Sequence, residues 1–186
     1  VEEVTVTTVR NGVTTTKSCS FDAFMQELDN QATSLSENTT YTVVMNKSFA
    51  VGGQGWWGLK NMSPTATLNI DLNGHTVTAS SGNVIQVRTD YTLNMDGADD
   101  NGYIGTWRAV GGAASMFYMQ RSASPAARAN IENINIVCTN LSTATQPVLH
   151  LASGVTTMKN VNVTYTGTEF PANGTVEDKY IIAVKQ

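Results

Sequence analysis

The residues able to do chemistry in this 186-residue chain are few, and most lie in short clusters. The one acidic cluster is Asp96-Gly97-Ala98-Asp99-Asp100-Asn101-Gly102. Calcium takes several oxygen ligands from a flexible, Gly-bearing loop, so Asp96, Asp99 and Asp100 are the candidate metal ligands. The loop lacks the spacing and closing Glu of an EF-hand, and a solvated turn is the competing reading. No other cofactor is expected. Gly52-Gly53-Gln54-Gly55-Trp56-Trp57-Gly58 is a Gly-rich loop with two adjacent tryptophans. With no Lys-Ser/Thr after it, it cannot serve as a phosphate cradle. Trp56 and Trp57 are candidates for a sugar-binding surface, the alternative being that they cover the core. Cys19 and Cys138 match no metal or redox spacing and read as two small apolar thiols, with a disulfide left open.

Elements must hold these residues, and composition says which kind. Of the chain 41% is apolar and only 14% charged, with Thr, Asn, Ser and Gly filling the gap. Thr favours strands, while Asn, Gly and Ser favour turns, so many strands with tight corners are expected. The length suits one domain with a sizeable core. A net charge of −4 and no Lys/Arg cluster argue against nucleic acid as a partner. No apolar run reaches the ~20 residues that span a bilayer. The chain begins at Val1 with no visible signal peptide, which fits a removed leader or a fragment of a longer chain.

The N-terminal region, residues 1–40, reads as a hairpin and a capping helix. Val4, Val6 and Val9 lead into Asn11-Gly12, whose residues supply the positive φ angles of a two-residue turn. Phe21, Phe24, Met25 and Leu28 then make one apolar stripe at helical spacing, with Ser20 as N-cap and Asp22 in the first turn. The helix is predicted to run to about Ala32 and to lie on an exposed end of a β core.

Residues 41–186 carry a repeat. Val84-Ile85-Gln86-Val87, Met116-Phe117-Tyr118-Met119, Val148-Leu149-His150-Leu151 and Ile181-Ile182-Ala183-Val184 start at 84, 116, 148 and 181, in steps of 32, 32 and 33. A second set interleaves: Thr67-Leu68-Asn69-Ile70-Asp71 matches Thr92-Leu93-Asn94-Met95-Asp96, and 130–136 matches 157–163 at an offset of 27. Stacking such strands coil upon coil buries a continuous core and puts like residues above like, with Asn69 over Asn94 and Asn133 over Asn160. A β-sandwich also uses many short strands but gives no reason for the constant step. The same register makes Gln86, Tyr118, His150 and Ala183 one outward row, with Arg88, Gln120, Ala152 and Lys185 beside it. Arg88, Tyr118 and His150 on one face could stack on a sugar and hydrogen-bond it; an ordinary solvated β face is the alternative. Val84, Met116, Val148 and Ile181 form an apolar outward row that something should cover: the hairpin, the segment 97–115 or a partner chain.

Leu-Asn-Ile-Asp-Leu-Asn-Gly-His-Thr-Val-Thr at 68–78, then Asn83-Val84-Ile85-Gln86-Val87 and Tyr91-Thr92-Leu93-Asn94-Met95-Asp96-Gly97, resembles the coil signature of right-handed parallel β-helix (pectin-lyase-like) domains of bacterial surface and secreted proteins. The resemblance is good over about 20–105 and rests on the repeat beyond. Gly74 permits the corner and Asn73 tolerates the left-handed region, while His75 is expected to be structural. The fold hosts lyases, glycosidases, adhesins and phage tail proteins, so it does not decide among them.

Enzymes on this fold need paired carboxylates, or a carboxylate–metal site with a basic residue nearby. Asp71 and Asp96 can stack, but Asp71 belongs to the corner, and no catalytic residues are assigned. The expectation is a non-catalytic secreted or cell-surface module, adhesin-like or glycan-binding. The alternatives are a carbohydrate-active enzyme on the outer face and a structural spacer. A polysaccharide or host glycan is the expected partner. Further chain or a partner is expected at the C-terminal end, where nothing visible caps Ile181–Val184. Six Asn-x-Ser/Thr sequons, at Asn38, Asn46, Asn61, Asn140, Asn162 and Asn173, follow from composition and matter only in a eukaryotic secretory protein.

Overall fold

A computed structural model describes residues 1–51, 56–80, 84–110, 116–119, 126–139, 148–166 and 182–184, with backbone alone at Trp56, Val84 and Ala183. The hairpin is β1 (Val4–Arg10) and β2 (Val13–Cys19), followed by α1 (Phe21–Asn30). The first coil is β3 (Thr39–Met45), β4 (Phe49–Ala50) and β5 (Trp56–Trp57). The next two are β6 (Thr67–Asp71), β7 (Thr76–Ala79) and β8 (Val84–Val87), then β9 (Thr92–Asp96), β10 (Gly105–Val110) and β11 (Phe117–Met119). In β12 (Arg128–Thr139) and β14 (Val155–Thr166) two strands run together around a corner, and β13 (Leu149–Leu151) and β15 (Ile182–Val184) complete their coils. The result is a stacked parallel β-solenoid of about four turns.

Its register is the one the repeat predicts. Phe117 pairs with Ile85 and Leu149, and Leu149 with Ile182, in parallel. Thr67–Asp71 lies beside Thr92–Asp96 residue for residue, and β12 beside β14 at the expected offset. Three faces result. The first runs β2-β1-β3-β6-β9 and then the first halves of β12 and β14; the second runs β4-β7-β10 and their second halves; the third is β5-β8-β11-β13-β15.

Asparagine makes the corner between the first two faces. Asn73, Asn133 and Asn160 sit at φ 48°, 54° and 51°, a region Asn enters more readily than other side-chain-bearing residues. At Asn133 and Asn160 the β12–β14 ladder skips a pair, passing from Glu132–Lys159 to Ile134–Val161. Gly97 lies at the same corner, and a Cβ there would come 2.0 Å from the Asn133 carbonyl oxygen, so the coils close only over glycine.

The N-terminal end is closed as the sequence implies. Ser20 caps α1 by accepting from the Ala23 N–H, and Phe21, Phe24, Met25 and Leu28 are all buried. The helix ends at Asn30, two residues earlier than expected, because Gln31 already has extended backbone. Phe21 packs edge-on to Trp57 at 5.3 Å, and the Trp57 indole N–H donates to Asp22 Oδ1 at 3.1 Å. The Asn11-Gly12 turn is present with φ 51° and 74°. At the opposite end the inward residues of the last coil are open: Met158, Ile182 and Val184 are 37%, 40% and 71% exposed. Among the described residues no helix is long and apolar enough to cross a membrane.

Candidate functional site

Outer positions of the first face line up across the coils because strands stack in register. Residues Thr42, Asn69, Asn94 and Asn130 form one row. Asn69 donates to Thr42 Oγ1 at 3.2 Å, Asn94 to Asn69 Oδ1 at 2.9 Å, and Asn130 to Asn94 Oδ1 at 2.8 Å. The row continues into the hairpin, since Thr42 pairs with Thr7 and the Thr7 and Thr16 hydroxyls lie 3.4 Å apart. Beside it runs a second row, Asp71, Asp96, Glu132 and Lys159. The two rows border a shallow groove of about 300 Å³, backed by Ile70 and Met95. Comparable amide pairs occur further round the coil, Asn160 to Asn133 at 2.9 Å and Asn162 to Asn135 at 3.1 Å.

The chemistry of this groove follows from its groups. An amide has two donors and two acceptor lone pairs, so each ladder member keeps hydrogen-bonding capacity beyond the ladder itself. Neighbouring strands are about 4.8 Å apart, so the groove offers a periodic set of planar amides and carboxylates. Each Asp is partly held by its turn: Asp71 Oδ1 accepts from the Asn73 N–H at 2.7 Å, and Asp96 Oδ1 from the Ala98 N–H and the Asn133 amide. Burial is the main reason the Asp71 carboxyl lies above its ordinary range. Its bond from the Asn73 backbone opposes that rise, while the Asp96 and Asp100 charges add to it.

Of the residues singled out in the sequence, Asp96 lines this groove and the others fall elsewhere. Gln86, Tyr118 and His150 do share a row, and the Tyr118 and His150 rings stack at 4.4 Å and 12°. They are not an open face, however: Gln86 is 2% and His150 6% exposed. Arg88 is exposed, and its guanidinium lies toward Gly58 and Asp29 rather than along that row. Met116 and Val148, the described side chains of the apolar row, are fully buried, so that row is covered. The hairpin is not the cover, since it extends the first face. Trp57 is wholly buried at the α1 end of the core and presents no ring to a surface ligand; the Trp56 side chain lies outside the described residues.

In the acidic loop, Asp99 Oδ1 accepts from the Asn101 and Tyr103 N–H groups, shaping the turn, and Asp96 faces the groove. Among the described residues no three acidic, His or Cys side chains are grouped to hold a metal. His75 serves the corner through its backbone, its N–H donating to Leu72 O and its carbonyl accepting from Thr106 N. Cys19 and Cys138 are both free thiols, and burial pushes Cys138 up to about 11.

Comparison with protein-family models, curated proteins and solved structures finds no match to this chain. Fold and site together define a parallel β-solenoid with a polar ladder along one outer face.

Proposed function

We propose that the chain is a non-catalytic, secreted or cell-surface module, kin to pectin-lyase-like domains of bacteria, that binds glycan along the Asn69–Asn94–Asn130 ladder. The observation that carries this is the groove itself, in which amides and carboxylates stand in register at a near-constant spacing on an outer face. Sugars are recognised by paired donors and acceptors of this kind, and a rigid sheet presents them without the entropy cost of ordering a loop. A glycan-array screen of the wild type and of Asn94→Ala/Asn130→Ala tests it. The wild type should bind a defined glycan set and the double variant should lose it while keeping its far-UV spectrum. No wild-type binding to any glycan would reject the proposal.

A second reading, a carbohydrate-active enzyme, draws on Asp71 and Asp96 lying on adjacent strands in one groove. There Asp71, its carboxyl raised chiefly by burial, would protonate a leaving oxygen, with the Asp96 carboxyl beside it on the next strand. Release of reducing ends from a bound glycan, abolished by Asp71→Asn, would favour it over pure binding.

A further inference from the structure

We propose that the outer edge of β2 joins two copies of this chain across a two-fold axis through Thr16. Strand β2 ends the ten-stranded sheet, Val13–Ser18 are exposed, and no described strand pairs with its outer edge. Backbone geometry fixes what that edge offers. Antiparallel pairs alternate between those that exchange hydrogen bonds and those that do not. Arg10 and Val13 close a two-residue turn, so Val13, Thr15, Lys17 and Cys19 bond to β1. Thr14, Thr16 and Ser18 therefore turn their N–H and C=O groups outward.

Natural sheets protect such an edge with proline, a bulge or charge. This edge has no proline, and its seven pairs with β1 run without a bulge. Its one charge, Lys17, points to the helix side, where it pairs with Glu27 and lies 5.7 Å over the Phe24 ring. Antiparallel pairing of two copies about Thr16 sets Thr14 against Ser18 and Thr16 against Thr16, small hydroxyl residues throughout. Lys17 then faces Thr15 of the second copy, so no like charges oppose. A copy of this chain therefore fits the edge along its whole length.

The match extends across the outer face. Thr16 is the hairpin end of the row that runs through Thr7 and Thr42 to Asn130, so the two-fold axis joins two such rows into one. An axis normal to the sheet leaves both grooves on the same side, where they could engage one extended ligand together. The pairing itself does not depend on what the grooves bind. A strand-to-strand contact is much smaller than the roughly 1,600 Å² of a standard interface, so the dimer is weak and governed by concentration.

Sedimentation equilibrium of the 186-residue chain from about 10 µM to about 1 mM tests the proposal. The mass should rise from 19.9 kDa toward twice that value. Thr16→Pro removes an outward N–H that the hairpin does not use, and Thr16→Lys sets like charges opposite each other. Both variants should weaken association by about tenfold or more while keeping the wild-type circular dichroism. If Thr16→Pro fails to fold, Thr16→Lys still decides. A wild type that stays at one chain mass throughout would overturn the proposal, as would a dimer that Thr16→Lys leaves intact.

Discussion

Replacing Gly97 by alanine tests the corner on which the whole register depends. The new Cβ would lie 2.0 Å from the Asn133 carbonyl oxygen and 3.0 Å from its carbon. An ordinary carbon–oxygen contact is about 3.4 Å, so two coils must part by roughly an ångström. The obstacle is backbone, held at φ 54° and unable to rotate away like a flexible side chain. The Gly97 carbonyl also accepts from Gly74 and Gly105 at 2.9 and 2.7 Å, so the movement loosens both neighbours. Overpacking costs about 1–3 kcal/mol even where side chains can yield, so about 3 kcal/mol or more is expected here. Gly102, in the same loop, is the control. It sits at φ 81° with nothing within 4 Å of a Cβ, so alanine there meets only backbone strain, about 1–2 kcal/mol. Urea unfolding should separate the two variants by about 1–2 kcal/mol, or roughly 2–8 °C in Tm. Equal stabilities would refute the close approach of Gly97 to the next coil, and with it the corner geometry described above.

Three further outcomes follow from particular side chains. Asp22→Ala removes the acceptor of the buried Trp57 indole N–H and should cost about 1–3 kcal/mol by chemical unfolding, with Asp22→Asn milder. Asp71 is raised above 3.8 in the folded state, chiefly by burial, so the native protein holds that proton more tightly than the unfolded chain. Its favourable contribution is complete below about pH 3.8 and is lost as pH rises through the folded value. Asp71→Asn keeps an acceptor for the Asn73 N–H, so it should be at least as stable as wild type at pH 7, with any gain vanishing toward pH 3, as pH-resolved melting will show. A thiol reagent at neutral pH should label Cys19 of the folded protein and spare Cys138, whose thiol is buried and raised to about 11, while denaturant exposes both.

How much of this was legible in the sequence depends on what each residue answers to. Ile85, Phe117 and Leu149 stack where the 32-residue step puts them, because an inward side chain must lie over its counterpart to close the core. Phe21, Phe24, Met25 and Leu28 gave the helix for the same reason, and Asn11-Gly12 gave the turn. Exposure was not legible. Gln86 and His150 hold outward positions of a strand yet are buried, since strand periodicity says which way a side chain points and not what lies above it. Trp57 sits in a Gly-rich stretch that reads as a loop, and its burial depends on α1, more than twenty-five residues away in sequence, reaching across to it.

The ladder was half visible. Repetition of Thr-Leu-Asn-Ile-Asp as Thr-Leu-Asn-Met-Asp placed Asn69 over Asn94 and Asp71 over Asp96. Asn130 and Glu132 extend both rows only because 36 residues separate them from Asn94 and Asp96 where the preceding step is 25, an interval no fixed period reveals. The corner signature also drew attention to what Asp71 does for its turn, which the structure shows to be compatible with its facing a groove.

The side-chain amide resonances of Asn69, Asn94 and Asn130 report most directly on glycan binding along the ladder. A soluble oligosaccharide selected by array binding should be titrated into isotopically labelled protein and followed by amide correlation spectra. Saturable shifts of those three amide groups are expected, strongest at Asn94 in the middle of the ladder, with the Tyr118–His150 region unmoved. Shifts that instead cluster around Tyr118 and Arg88, with the ladder amides silent, would contradict it.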